Sequence, residues 1–154
     1  MTRARPHADA GTSRLAFQAT IHCLTGCGIG EVLGLGGATL LGLGNFVSLV
    51  LGIVLAYAFG YGLTLVPLLR AGMPLARASG ITLAAETLSI TTMEIVDNAV
   101  VIAIPGSMDA GLGDILFWAS LAISLALAFV AAYPVNRWLV ARGLGHAIVH
   151  GHHS

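Results

Sequence analysis

The chain has 154 residues, of which 56% are hydrophobic and only 9% charged; seven acids balance seven bases, and there is no Lys. A soluble domain carries about 25% charged residues, so this composition does not furnish a polar skin. Zero net charge also leaves no electrostatic footprint for nucleic acid. The length suits one compact domain.

In chain order, a tail over residues 1–14 carries Arg3, Arg5 and Arg14. Four apolar segments follow, at 15–43, 46–69, 79–104 and 112–140. Each exceeds the ~20 residues needed to cross a hydrocarbon core of about 30 Å. Gly44-Asn45, Arg70 to Pro74, and Pro105 to Gly113 read as the intervening turns. The first segment is too long and too polar inside for a cleaved signal peptide. A His-rich tail, 141–154, closes the chain, with His146 and His150 placed to share a helical face.

Four spans put every Arg (the three above, Arg70, Arg77, Arg137 and Arg142) on one side, and Asn45, Asp109 and Asp114 on the other. Loop arginines concentrate on the cytoplasmic face. The expected fold is therefore all-α: a polytopic bundle of four transmembrane helices with both termini cytoplasmic and lipid as its surroundings.

Ionisable side chains inside a span cost about 2.5–3.5 kcal/mol each at the helix centre on insertion scales, which makes them candidates for function. The first segment holds His22, Cys23, Cys27 and Glu31; the third holds Glu86, Met93, Glu94, Asp97 and Asn98. The second and fourth are nearly clean apart from Tyr57, Tyr61 and small hydroxyls. Cys23, Cys27 and Glu31 are four residues apart and stack on one helix face, while Glu86, Met93 and Asp97 form a narrow stripe with Glu94 on its shoulder. Counted from the arginine side, His22 and Cys23 lie level with Glu86, Cys27 near Ile90, and Glu31 near Glu94. If the stripes face each other they make a ladder of His, Cys, Met and carboxylate donors. The small-residue ridge Gly26, Gly30, Gly34 is expected to permit that approach, and Gly52, Ala56, Gly60 form a second ridge.

Imidazole, thiolate and thioether favour copper, zinc or iron. A structural alternative satisfies the same groups as a protonated carboxyl pair, or with Glu31 bonded to Asn98. Met108 and Asp109, in the last turn, either guard an outer mouth or only shape the hairpin. An i, i+4 Cys pair on a regular helix does not direct its Cβ atoms for an unstrained disulfide. No Ser-His-Asp set, phosphate loop or dinucleotide fingerprint is present, so the chain does not read as an enzyme.

The runs His22-Cys-x-x-Gly26-Cys27-x-x-Gly30-Glu31, Pro67-Leu-Leu-Arg70-Ala-Gly72, Met93-Glu94-Ile-Val-Asp97-Asn98 and Pro134-Val-Asn-Arg137-Trp138, with Arg142-Gly-x-Gly145-His146, resemble a family of small bacterial membrane proteins catalogued as a domain of unknown function. The resemblance spans about Phe17 to His150. It implies the same architecture and a bacterial inner membrane, and relatives with an attached metal-binding module point to metal handling. The leading expectation is a membrane protein, oligomeric or with a partner membrane subunit, that binds or conducts a transition-metal ion, copper ahead of zinc or iron. The alternative is a non-catalytic subunit of a larger redox complex, or one holding haem through His22.

Overall fold

A computed structural model describes residues 6–142. Helix α1 (Pro6–Glu31) continues through a π-helical turn (Val32–Gly36) into the short α2 (Gly37–Leu40), making one rod. Three long helices follow: α3 (Asn45–Arg70), α4 (Leu75–Ala103) and α5 (Ile115–Ala141), with a 3-10 turn (Ser107–Asp109) before the last. The described residues contain no strand. His146 and His150 lie outside the described residues.

All four expected segments fall on helices, with shifted ends. The first rod starts ahead of Leu15 and stops at Leu40, so its turn occupies 41–44 and Asn45 already belongs to α3. Gly42 takes a left-handed φ of 69°. Gly42 N–H donates to Thr39 C=O (3.1 Å) and Leu43 N–H to Ala38 C=O (2.9 Å), which satisfies carbonyls that the helix end would leave open. Gly72 (φ 87°) repeats the device after α3, with Met73 N–H on Leu68 C=O at 3.2 Å. Before α5, the Asp114 carboxylate accepts from Gly111 N–H at 2.8 Å, and the helix begins at Ile115 rather than Leu112.

The helices are joined by what lies on their buried faces. On α3 these are Ser48, Gly52, Ala56, Gly60, Thr64 and Leu68, spaced strictly by four. Gly26, Gly30 and Gly34 of the first rod lie directly on Gly60, Ala56 and Gly52. A Cβ at Gly26 would sit 2.8 Å from Gly60 Cα, and one at Gly30 would sit 2.5 Å from Ala56 Cα. Both distances are closer than real carbon contacts allow. The two small-residue ridges therefore face each other, and the first does not face α4 as expected. Consecutive antiparallel helices are the default neighbours in a bundle, and backbone contact makes this pair the tightest.

Large apolar side chains cover the outside: Phe17, Leu33, Val54, Leu83, Ile95, Ile102, Ile123 and Val130 are all exposed. Polar ones fill the inside, including Thr20, Glu31, Glu86, Ser89, Glu94, Asp97, Ser124 and Asn136. That arrangement inverts the usual one for a water-soluble domain. Buried hydroxyls bond back to their own helix, as Thr20 does to Ala16 C=O (2.7 Å) and Thr82 to Ala78 C=O (2.8 Å). Ala10–Leu40, Asn45–Arg70 and Ile115–Ala141 are long and apolar enough to cross a membrane. The remaining helix, α4, has 29 residues, about 43 Å at 1.5 Å per residue. Its inward face carries three carboxylic residues, Glu86, Glu94 and Asp97.

Gly30→Leu should destabilise the bundle by at least the roughly 1–3 kcal/mol of an overpacked core. Gly37, where an added Cβ meets nothing within 4 Å, should accept Leu within about 0.5 kcal/mol. Thermal unfolding of both variants in detergent checks this; equal melting points would refute the backbone contact.

Candidate cation site

The polar residues of α1 and α4 meet inside the bundle, and the two helices run parallel there. Cys23 pairs with Glu86, Cys27 with Met93, and Glu31 with Asp97, so the partners rise together along both chains. Depth counted from the helix ends matches the Cys23–Glu86 contact, while Cys27 and Glu31 meet Met93 and Asp97, three residues beyond the Ile90 and Glu94 that the count gave. The file has three levels, which differ in how well their groups are satisfied.

The level nearest the arginine side is well hydrogen-bonded. The Cys23 thiol donates to Glu86 Oε2 at 2.8 Å, with the Ser89 hydroxyl beside it. Thr64 Oγ1 donates to Glu86 Oε1 at 2.6 Å and lies 3.1 Å from His22 Nε2. A chain of bonds thus connects half-buried His22 to a fully buried carboxyl through a hydroxyl on α3. Asn136 of α5 closes the same region by donating to Thr20 Oγ1 at 3.0 Å.

The middle level is soft. Cys27 Sγ lies 3.9 Å from Met93 Sδ, and the Glu94 carboxyl stands beside the same thiol. Both cysteines are buried free thiols. Ile90, Ala56, Ala128 and Ala132 enclose this level, with Tyr57 and Tyr61 at its edge.

The third level consists of acids without donors. Glu31 and Asp97 are each 1% exposed and their carboxyl groups adjoin. None of their four oxygens has a hydrogen-bond partner, and neither has Glu94 Oε1. Burying a carboxylate without compensation is costly, and a proton held between the two adjoining carboxyls is one way to offset it.

Asn98 serves Glu94, not Glu31: its Nδ2 donates to Glu94 Oε2 at 3.1 Å and to Glu94 C=O at 2.8 Å. Of the last-turn pair, Met108 lines a cavity that reaches Glu31, while Asp109 Oδ1 accepts from Asn45 Nδ2 at 3.1 Å and ties two turns together. Among the described residues, no three or more His, Cys, Asp and Glu side chains converge in a group that would hold a metal ion. The soft cluster instead combines one thiol, one thioether and one carboxyl. Sequence reasoning missed Thr64, which looks like one of several small hydroxyls on an apolar helix. The signal was its spacing, because Thr64 continues the period-four ridge of Gly52, Ala56 and Gly60.

A family described as "Domain of unknown function (DUF4396)" matches residues 12–145. The chain belongs to that family. The DUF4396 match takes in the whole polar file, from His22 to Asn136. No curated protein and no solved structure matches the chain.

Thr64→Val should leave Glu86 short of a donor and lower stability by about 1–3 kcal/mol, whereas Thr64→Ser should retain most of it. Melting temperatures in detergent measure both. A Val variant as stable as the Ser variant would show that the bridge contributes nothing.

Proposed function

We propose that this DUF4396 protein is a four-span bundle of the bacterial inner membrane, with both termini cytoplasmic, that binds or passes a transition-metal cation through its interior. Span number is supported by α4 being long enough, with large apolar residues on its outward face and its three acids only where neighbouring helices cover them. Trp118 and Trp138, both half exposed, stand near opposite ends of α5. Their separation along the helix is about 30 Å, the thickness between two aromatic belts. Orientation is supported by Arg14, Arg70, Arg77, Arg137 and Arg142 clustering at one end, with Asn45, Asp109 and Asp114 at the other.

The observation that carries the functional reading is the sulfur pair. Two sulfurs each about 2.3 Å from one ion subtend the 3.9 Å seen between Cys27 and Met93 at an S–metal–S angle of about 116°. That angle lies between tetrahedral and trigonal. Thiolate with thioether selects copper(I) ahead of zinc or iron, and Glu94 supplies a third donor and negative charge. His22, Cys23 and Glu86 form a polar route from the cytoplasmic side, while Glu31 and Asp97 balance charge on the far side. A buried cation and buried carboxylates offset each other's desolvation.

Copper(I) titration of detergent-purified protein should show one tight site, weakened at least tenfold in Cys27→Ser and in Met93→Leu while both remain folded. Binding should strengthen as pH rises, because a thiol must lose its proton to ligate. Unchanged affinity in both variants would sink the assignment. For topology, a fluorescent protein fused after Ser154 should glow and alkaline phosphatase inserted at Gly111 should be active; the reverse pattern would invert the file.

A further inference from the structure

Beside the acids, at the end away from the arginines, lies a cavity of about 10 Å³ lined by Glu31, Thr39, Ser107, Met108, Phe117 and Ser120, among others. That is room for roughly one water molecule. The cavity sits beneath the 3-10 turn (Ser107–Asp109), whose Ser107 hydroxyl is anchored on Val101 C=O. It leads from that turn to Glu31. The π-helical turn begins at the residue after Glu31, and such turns often mark functional positions. It also brings buried Gly36 against Leu112.

We infer that Glu31, which lines this cavity, and Asp97, whose carboxyl adjoins it, form with cavity water a second and separate cation site, specific for a hard divalent ion. The donors are oxygens only, and carboxylate with water suits Mn²⁺, Ca²⁺ or Mg²⁺ rather than copper. Two carboxylates match a double positive charge. Space for about one water disfavours Mg²⁺, which keeps several waters in a strict octahedron. Four unpartnered oxygens from two nine-tenths-buried residues suit an ion that accepts irregular, bidentate ligation. The sulfur pair is one helical turn away, at Cys27 and Met93, each four residues before its acid. The bundle thus carries a soft site and a hard site in series. This inference extends the proposed function but does not depend on copper, since no sulfur takes part.

The probe is Mn²⁺, followed by electron paramagnetic resonance on the full chain in detergent. The expected result is stoichiometric Mn²⁺ binding that weakens at least tenfold in Glu31→Gln and in Asp97→Asn but survives Cys27→Ser. Copper(I) binding should instead depend on the sulfur pair and be lost in Cys27→Ser. Failure of copper with Mn²⁺ retained would reject the proposed sulfur site for copper and leave this site standing. Absence of Mn²⁺ binding by the wild-type chain would overturn the inference and leave a carboxyl pair sharing a proton. Binding that is unchanged in both acid variants, as from the His-rich tail, would overturn it equally.

Discussion

The arrangement depends on a contact made almost without side chains. Gly26, Gly30 and Gly34 lie on the backbone of Gly60, Ala56 and Gly52. Little hydrophobic drive brings apolar helices together in lipid, so association relies on close van der Waals approach and interhelical hydrogen bonds. The glycines supply the first. Each of Gly26 and Gly30 directly precedes a donor, Cys27 and Glu31, about 100° further round the helix. The same turns of α1 therefore touch α3 on one side and present their polar groups toward α4 on the other. Thr64 extends the α3 ridge by one step and reaches His22 and Glu86 from it. A change in the seam would thus move the donors.

Satisfaction of the polar groups varies along the bundle. Near the arginine end, Thr20 with Asn136 and His22 with Thr64, Glu86 and Cys23 bond to one another. Toward the other end, Cys27 meets Met93 Sδ and the Glu94 carboxyl, and the carboxyls of Glu31 and Asp97 have no donors outside the pair. A purely structural network would be expected to close throughout, because a partly satisfied buried network is worse than an apolar core. Here the network closes near the arginine end but for Ser89 Oγ, and stays open toward the other end at Glu31, Asp97 and Glu94 Oε1. A soft and a hard site, as proposed above, would follow from which side chains occur at each level.

Much of this was legible in the sequence. Segment positions follow from apolar length, and the level of Cys23 with Glu86 follows from counting along parallel helices, but the count put Glu31 beside Glu94, three residues short of the Asp97 it meets. The partner of the glycine ridge did not follow. A period-four run of small residues says that a helix wants close contact but does not say with which neighbour, and two such ridges were present. Their mutual pairing comes from the antiparallel hairpin, which puts Gly26 at the height of Gly60 and Gly34 at that of Gly52. Asn98 was misassigned because an amide four residues after an acid on the same helix bonds locally first. The π-helical turn left no trace in hydropathy, since it changes register while Val32, Leu33 and Leu35 remain apolar.

The least apolar helix is also the one that carries most of the acids. Alone in lipid, α4 would present Glu86, Glu94 and Asp97 to hydrocarbon, at a cost of about 2.5–3.5 kcal/mol each near the centre. Against α1 and α5, the same residues are covered, and Leu83, Leu88, Ile95 and Ile102 remain outside. On the proposed four-span reading, the helix is therefore stable in the bilayer only once its neighbours are in place. Folding and site formation become one event, because the contacts that shelter the acids of α4 also bring Cys23, Cys27 and Glu31 to them. A cation bound between Glu31 and Asp97 would stabilise that assembled state over any in which α4 has separated, by mass action on the folded form alone. The carboxyls of Glu31 and Asp97 would in that case connect cation binding to the integrity of the fold.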